Sequence, residues 1–575
     1  FGSLKEDELR AREQLDEIKE ILKKNSIWIL VYIGLGIFNA FMANYKTDYF
    51  QKVIDGLATG TLTFAGVITY GLILLVNYCM NYLDNYPEKK LEYGIYLDFK
   101  LLSLRKISTI DYTEYQKIGT GKLVQRIENG SSAGRNVVFN FWLRLIRDLL
   151  PTIVFSVYFI WKIDKIITYI LFVGYMLIFI ITNILLKFLY KIKEKILNSE
   201  ELFNHFLVRG FMEMLVFRMS KQFPSEIKKT RSAKENIVSS KVKMNMIHEA
   251  FFTIFALFVA MLDIGILFYA WKTKNLTVGS IVALIALIEN AYTPIAIFNV
   301  LYVQYKLDKA SYKRFEEFLG LKDDVQLRNG NAINTNVGKI AIRNLSFQYE
   351  ERKIIDGLSL SIQKGEKIAF VGESGSGKST VIKILLGLLK YNQGEICLGD
   401  MKLSGICLNN LYDKVSYISQ DVPVFDGTIK ENLVFEKQVS EEQMLGALSE
   451  VQLSHLVENL AEGLNTEIGE KGTCLSGGEK QRLALARLWF EDSELVILDE
   501  ATSAMDNLTE EIVMKSVMQK MKDKTVIAIA HRLNSIAGFD RIILFREGKI
   551  VGQGTFEELL HTDSYFMDLY NANVK

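Results

Sequence analysis

The sequence predicts a two-part fold: an all-α membrane domain of six apolar helices, followed by an α/β domain. The composition is one reason, because 49% of the 575 residues are hydrophobic while 23% are charged. That mixture is too apolar for a wholly soluble chain and too charged for a chain that lies entirely in a bilayer. The order along the chain is the second reason, since long apolar runs precede residue 320 and strand–turn–helix patterns follow residue 337.

Six stretches are long enough for a helix to cross the hydrocarbon core, which takes about 20 apolar residues. We predict membrane spans at residues 26–45, 57–83, 137–161, 166–186, 250–271 and 276–305. The third span is the least regular, because Arg144, Arg147 and Asp148 interrupt it. Charges inside a membrane domain are costly unless they are paired or solvated. We therefore expect these three near the cytoplasmic interface or facing the interior of the bundle.

The connections between the spans predict how the chain is oriented. The segments 84–136 and 187–249 are long and rich in Lys and Arg, whereas the intervening loops are short. Positive charge stays on the cytoplasmic side, so both long segments, both termini and the α/β domain are predicted to be cytoplasmic. The low Pro content, 5 residues, together with many Lys, Asn and Ile, suggests a low-GC bacterium, so we expect the membrane to be the bacterial cytoplasmic membrane.

Four domain segments follow from these patterns. Residues 1–25 begin with Phe1-Gly2-Ser3, which we interpret as the scar of a removed tag, and continue as a cytoplasmic N-terminal helix rather than a cleavable signal peptide. Residues 26–320 form the predicted transmembrane domain, 321–337 a linker and 338–575 the α/β domain. A net charge of +1 gives no sign of a nucleic-acid partner. The four cysteines lack the spacing of metal ligands.

A glycine-rich loop carries the first chemical signal. The apolar strand 367–371 leads into Gly372-Glu-Ser374-Gly375-Ser-Gly377-Lys378-Ser379-Thr380, and an apolar helix follows. Such a loop points its backbone N–H groups at phosphates, and the helix N-terminus favours their negative charge. Lys378 is predicted to reach the β- and γ-phosphates, and the Ser379 hydroxyl to ligate Mg²⁺.

A second signal lies about 120 residues further on. The buried-type strand Leu495-Val-Ile-Leu-Asp499-Glu500 ends in two acids. Asp499 is placed to hold Mg²⁺ through water, and Glu500 to polarise the attacking water of a phosphoryl transfer. The alternative is a strand that happens to end in an exposed acidic turn, which the phosphate loop upstream makes less attractive.

The string Leu475-Ser476-Gly477-Gly478-Glu479-Lys480-Gln481 resembles the signature of the ABC transporter superfamily. Six spans with two long cytoplasmic segments resemble the exporter type of that family. Residues 466–472 also resemble the X-loop that is specific to exporters. The resemblance implies a six-helix exporter domain fused to an ATP-binding cassette, working with ATP and Mg²⁺. Ser476 and the glycine amides would bind the γ-phosphate of ATP held by a second copy. Glu479 stands where the family usually has Gln, which leaves the serine and the glycines intact.

The same resemblance assigns roles to further residues. Tyr349 would stack on adenine, Gln420 would sense Mg²⁺ in the Q-loop, and His531 would contact the γ-phosphate. The implied catalytic residues are Glu500, His531, Gln420 and Lys378. The implied nucleotide-binding residues are Tyr349, Gly372, Ser374, Gly375, Gly377, Lys378, Ser379, Thr380, Ser476, Gly477, Gly478 and Asp506 of the D-loop. The implied metal ligands are Ser379, Gln420 and Asp499.

The expected function is ATP-driven export of a peptide or of an amphipathic or hydrophobic small molecule by a homodimer, a heterodimer remaining open. The alternatives are an ATP-gated channel or regulator, and an importer with the exporter fold. Candidate cavity-lining residues are aromatic or carry amides: Trp28, Asn39, Asn77, Asn81, Trp142, Asn183 and Asn290. Two spans also contain an acid each, Asp263 and Glu289. Glu289 either handles substrate or forms a structural pair with a cation such as Arg144 or Arg147.

Overall fold

A computed structural model describes residues 19–118, 120–469, 472, 474–530 and 532–574. The chain divides into two compact units. The first contains Ile118–Leu321 and the chain before Thr109. The second contains Lys322–Lys575 together with the short internal segment Thr109–Lys117.

The first unit is helical, and its helices run nearly without interruption. In chain order the helices are α1 Ser26–Thr59, α2 Phe64–Ile107, α3 Tyr112–Ile118, α4 Thr120–Arg135, α5 Leu150–Ile163, α6 Lys165–Met212, α7 Met214–Met219, α8 Phe223–Thr273 and α9 Val278–Leu319. The short α3 lies almost entirely in the segment Thr109–Lys117, which belongs to the second unit. Two π-helical segments, Asn136–Leu143 and Leu145–Leu149, join α4 to α5. Helix α6 packs along α8, while α1 packs against α2 and α9.

A helix occupies each of the six predicted span positions. Among the described residues, α1, α2, α8 and α9 are long and apolar enough to cross a membrane. The third position combines the π-helical segments with the 14-residue α5. At the fourth, the described apolar part of α6 is Lys165–Leu177. The prediction of an apolar helical domain is therefore confirmed.

Short capped turns separate these helices on one side. The Thr63 side chain accepts a hydrogen bond from Gly66 N and begins α2. The Asp164 carboxylate accepts hydrogen bonds from Ile166 N and Ile167 N and begins α6. These caps satisfy N–H groups that have no partner inside the helix. The chain can therefore reverse direction within a few residues.

A buried ion-pair cluster lies among α1, α2 and the second π-helical segment. Arg147 is 6% exposed, pairs with Asp84 and lies 3.6 Å from Glu88. Its guanidinium also lies over the Tyr32 ring, 4.1 Å from the centroid. Arg144 pairs with Glu88 at 3.1 Å. Arg147 thus faces the interior, one of the two positions expected for it.

These pairs correct one expectation for Glu289. Arg144 and Arg147 pair with acids of α2 and not with Glu289, because Asp84 and Glu88 lie directly opposite them. Glu289 is exposed in the single chain. The proposed structural pair with either arginine was therefore wrong.

The second unit is an α/β domain. Its strands are β1 Ile340–Tyr349, β2 Arg352–Ile362, β3 Lys367–Gly372, β4 Gln393–Leu398, β5 Met401–Lys402, β6 Val415–Ile418, β7 Leu495–Asp499, β8 Thr525–Ile529, β9 Arg541–Arg546 and β10 Lys549–Gly554. Its helices beyond α3 are α10 Lys378–Leu385, α11 Leu408–Tyr412, α12 Ile429–Val434, α13 Glu441–Glu450, α14 Ser454–Glu458, α15 Gly477–Ala486, α16 Asn507–Lys520, α17 Phe556–Thr562 and α18 Ser564–Val574.

The strands form two sheets, as the predicted α/β class requires. The six-stranded sheet has the order β10-β9-β3-β8-β7-β6 and is parallel except for β10. The four-stranded sheet, β2-β1-β4-β5, is antiparallel. Strands β7 and β8 are buried along their whole length, which fits apolar runs in the centre of a parallel sheet. Since β3, β8 and β7 are neighbours, the loops at their carboxyl ends meet at one edge.

Candidate nucleotide-binding site

The glycine-rich loop connects β3 to α10 at this edge. Gly375 has φ +81° and Gly377 has φ +103°, conformations that glycine adopts without strain. A Cβ on Gly372 would overlap the Phe545 carbonyl oxygen, so that position has no room for a side chain. Ser374 and Gly375 are exposed in the loop. These exposed loop residues come just before the N-terminus of α10, where backbone N–H groups can bind an anion.

Lys378, the first residue of α10, folds back over this loop. Its Nζ donates to the carbonyls of Gly372 at 2.7 Å and Glu373 at 2.8 Å. Burial lowers the pKa of the Lys378 ammonium, against the opposite effect of the Glu500 and Asp499 carboxylates. A buried ammonium between carbonyls and acids is suited to binding phosphate oxygens.

Asp499 ends β7 beside the loop and is only 4% exposed. Its carboxylate accepts hydrogen bonds from Ser379 Oγ at 3.2 Å and Tyr417 Oη at 3.3 Å. Burial raises the pKa of Asp499, while these two hydrogen bonds act to lower it. A hydroxyl and a carboxylate side by side supply the oxygen ligands that Mg²⁺ prefers. Tyr417 on β6 was not predicted, because only the sheet order brings it here.

Glu500, the residue after Asp499, forms a hydrogen bond with Gln420. Gln420 Nε2 donates to Glu500 Oε2 at 2.6 Å. Glu500 has φ +53°, a left-handed conformation that is uncommon for a residue with a side chain. Such outliers persist where the surrounding structure holds them, and they cluster at functional sites. The structure thus brings together Lys378, Ser379, Asp499, Glu500 and Gln420.

The signature serine begins a helix, α15. Ser476 Oγ accepts a hydrogen bond from Glu479 N at 3.3 Å, and the Glu479 carboxylate accepts from Ser476 N at 2.7 Å. Burial acts to raise the pKa of Glu479, but the hydrogen bonds from Ser476 outweigh it and hold that pKa below its usual value. The unusual glutamate therefore completes a capping box, which stabilises the N-terminus of α15.

The D-loop, residues 503–506, lies directly against this signature. A Cβ on Gly478 would be 3.0 Å from the Ala504 carbonyl oxygen, so the glycine allows a close approach. Gln481, which is buried, donates to Ser503 Oγ at 2.9 Å and accepts from Ala504 N at 2.9 Å. Asp506 accepts a hydrogen bond from Thr509 N, which lowers the pKa of Asp506 and caps α16. Gln481 was not among the predicted residues.

A buried glutamate behind Glu500 was also missed. Glu510 is 3% exposed and accepts hydrogen bonds from Thr502 Oγ1 at 2.8 Å and Arg532 at 2.7 Å. Arg532 also donates to the Met505 carbonyl oxygen. The loops that follow β7 and β8 at the edge of the sheet are thereby tied to one carboxylate.

Tyr349, the predicted adenine-stacking residue, ends β1 and is 37% exposed. Its ring meets Phe347 edge to face, with centroids 4.8 Å apart. Partial burial raises the pKa of Tyr349, and Tyr112 lies near enough to add to that effect. A partly open aromatic face at the sheet margin can stack on a base.

Some predicted residues lie outside the described residues or away from this edge. His531 is outside the described residues, as is Glu470 in the predicted X-loop. The side chain of Asn183 is also outside them. Of the cavity candidates, Asn39 donates to Asp84 at 3.3 Å and Asn77 is buried. Trp28 meets Tyr86 edge to face, Trp142 and Asn81 are exposed, and Asn290 is partly buried.

Comparison with known proteins agrees with this site. The ABC transporter family model matches residues 355–503. An uncharacterized ABC transporter ATP-binding protein of Bacillus subtilis (strain 168) is 34% identical over 301 residues, 52% of this chain and 52% of that protein. An ATP-dependent lipid A-core flippase of Neisseria meningitidis is 35% identical over 310 residues, 53% of this chain and 50% of the flippase. The chain thus spans about half the length of the curated relatives it matches.

A solved structure extends the likeness of the fold to nearly the whole chain. A bacterial Atm1-family ABC exporter with ATP bound matches with a TM-score of 0.81 and 21% identity, covering 96% of this chain and 99% of that one. Fold and site together define a multi-pass membrane protein with a nucleotide-binding α/β domain. Residues 355–503 thus match the ABC transporter family, and the chain has the fold of an ABC exporter.

Proposed function

We propose that this protein hydrolyses ATP and uses it to export a substrate across the bacterial cytoplasmic membrane as a homodimer. The observation that carries the proposal is a pair of hydrogen bonds beside Lys378, from Ser379 to Asp499 and from Gln420 to Glu500. The same chain also contains apolar helices long enough to cross a membrane. Phosphoryl transfer needs positioned charge more than covalent help, and these side chains supply it.

The residues at the sheet edge fit ATP and Mg²⁺. Ser379, Asp499 and Gln420 offer oxygen ligands to the metal, and Mg²⁺ when bound neutralises charge on the phosphates. The N–H groups from Gly372 to Thr380 and the Lys378 ammonium would hold the phosphates. Tyr349 would stack on adenine. Glu500, oriented by Gln420, would accept a proton from the attacking water, and His531 would contact the γ-phosphate.

The homodimer is proposed because one chain holds both halves of a composite site. The Lys378 side of the site needs the Ser476 side of a second copy to enclose the γ-phosphate. Both halves have their required residues here, so a different partner chain is not needed. Cross-linking in membranes should trap a dimer of this chain, and obligate co-purification with a second ABC chain would contradict this.

We favour export as the direction of transport and an amphipathic or lipid-like molecule as the substrate. Two features support it: the exporter fold, and relatives named as lipid A-core flippases. The ATP-binding domain and both termini would face the cytoplasm, because Lys- and Arg-rich segments of membrane proteins stay on the cytoplasmic side. A channel gated by ATP would let substrate run down its gradient only, whereas an exporter accumulates it.

The experiment measures ATP hydrolysis and the uptake of an amphipathic substrate by inside-out vesicles. The vesicles contain the wild type, Glu500→Gln or Glu442→Gln. Glu500→Gln should bind ATP but hydrolyse it at least about 100-fold more slowly, because an amide cannot act as the general base. Glu442 is exposed on α13 and serves as the matched control. Hydrolysis by Glu500→Gln within a few-fold of the wild type would remove Glu500 from this role. If the wild type and Glu442→Gln both hydrolyse ATP but neither accumulates substrate in an ATP-dependent way, the protein is not an exporter.

A further inference from the structure

A cavity of about 390 Å³ opens between α8 and α9 in the first unit. It is lined by Asn245, His248, Glu249, Phe252, Ile297 and Val300. Its volume falls in the range of small-molecule sites, about 300–1,000 Å³. None of its lining residues belongs to the nucleotide site or to the candidate residues drawn from the sequence.

The lining is divided into a polar and an apolar side. Asn245, His248 and Glu249 occupy one turn of α8, just before the apolar run that starts at residue 250. Phe252 begins the apolar side on the next turn, and Ile297 and Val300 face it from α9. The cavity therefore lies at the cytoplasmic end of a predicted span, with its polar side toward the cytoplasm. This division suits a ligand with a polar head and an apolar body.

His248 has an unused hydrogen-bonding atom. Its Nε2 is buried and has no hydrogen-bond partner among the described residues. Buried polar atoms are nearly always paired with protein, water or a ligand. A ligand head group that donates to this nitrogen would complete it, with the imidazole proton then on Nδ1.

Glu249 gives the cavity a negative charge. Its side chain is exposed, and within the described part of the chain no ion pair to it is present. It is also the charged group that acts on His248. A carboxylate at a membrane interface with no cation beside it favours a positively charged partner.

We propose that this cavity binds amphipathic amines, with the protonated amine held by the Glu249 carboxylate and donating to His248 Nε2. The apolar body lies against Phe252, Ile297 and Val300. The proposal rests on the proposed export function and names the substrate class that enters there.

The deeper part of the same helices supports a cationic ligand. Asp263 on α8 and Glu289 on α9 lie close enough to repel each other electrostatically. Asp263 is 14 residues beyond Glu249, about 21 Å along the helix. One pair of helices thus carries acidic side chains at two depths, which a cation crossing the membrane would meet in turn.

The test compares three soluble ligands with the same body: 4-phenylbutylamine, 4-phenylbutanol and 4-phenylbutyrate. Binding to the full-length protein is measured by calorimetry in phosphatidylcholine nanodiscs, without ATP. The wild type should bind the amine about ten-fold or more tightly than the alcohol, and the carboxylate most weakly, because only the amine pairs with Glu249.

Variants then assign the effect to the cavity. Glu249→Gln should weaken amine binding about ten-fold while alcohol binding stays unchanged, which also shows that the apolar site is intact. His248→Ala should weaken the amine several-fold. Glu235→Gln, an exposed carboxylate on the same helix, is the matched control and should bind like the wild type.

A second arm identifies the source of the amine. Nanodiscs containing phosphatidylethanolamine should weaken apparent binding of phenylbutylamine if a lipid amine occupies the cavity, and leave it unchanged if the ligand is a free amine. Either result is consistent with an amine site. Equal wild-type binding of amine and alcohol, or amine binding unaffected by Glu249→Gln, would overturn the proposal. Since binding is read without ATP, a failure of hydrolysis or export would be seen separately.

Discussion

Replacement of Glu510 by glutamine tests whether a buried carboxylate holds the catalytic loops in place. Glu510 accepts hydrogen bonds from Thr502, which is two residues after Glu500, and from Arg532. Arg532 in turn donates to the Met505 carbonyl of the D-loop. Glu510→Gln keeps the shape of the side chain but removes its charge and one acceptor oxygen.

The expected loss of stability follows from the exposure of the two partners. A hydrogen bond to a charged group contributes about 1.5–3 kcal/mol. The Glu510 side chain is 5% exposed and Arg532 is 36% exposed, so water weakens one side of the pair. We therefore expect the free energy of unfolding to fall by about 2–3 kcal/mol. For a domain of this size that corresponds to about 4–12 °C in Tm.

The assay is the thermal transition of the full-length protein together with its ATP hydrolysis. Glu510→Gln should lower both Tm and kcat, because Thr502 and Met505 lose their shared anchor, while the KM for ATP changes little. Glu511→Gln is the matched control, since Glu511 is the next residue on α16 and is exposed. A Tm within about 1 °C of the wild type, or an equal drop in the control, would refute the reasoning.

Two further predictions concern the membrane domain. Gly36→Ala should lower Tm, because the added Cβ would overlap Arg147 Cγ and lie 2.7 Å from its Nε. Gly34→Ala is the control and should keep the wild-type Tm, because a Cβ there has no atom within 4 Å. Equal Tm values for the two variants would contradict this prediction. Glu289→Gln should not lower Tm, since it removes the repulsion between Glu289 and its acidic neighbour Asp263, and it should alter stimulation of ATP hydrolysis by phenylbutylamine. A lower Tm with unchanged stimulation would show a structural role instead.

Much of the nucleotide site could be predicted from the sequence because its chemistry is local. The loop from Gly372 to Thr380 needs its glycines for backbone conformation, and the helix that follows it supplies N–H groups by itself. The apolar strand before Asp499 similarly indicates a buried parallel strand. These features depend on neighbours in the chain, so short motifs reveal them.

The supporting residues could not be found in this way. Gln481 reaches Ser503, 22 residues away, and Tyr417 reaches Asp499, 82 residues away. Each partner is fixed by the order of strands in the sheet and by the packing of α15 on the D-loop. Gln481 stands in the signature string, but nothing in that string indicates its partner. Tyr417 is a tyrosine with many ordinary roles, and no signal in the sequence singles it out.

Arg147 shows where the boundary between the two cases lies. An arginine inside a predicted membrane domain must be paired or solvated, so the sequence alone indicates that Arg147 has a partner. It does not indicate which partner, because Asp84, Glu88 and Glu289 are all acids in or beside predicted spans. Gly36 decides the matter in the structure: its missing side chain leaves the space through which Arg147 passes to reach Asp84. The need for a counter-charge is a property of the residue, whereas its identity depends on which helix faces offer room.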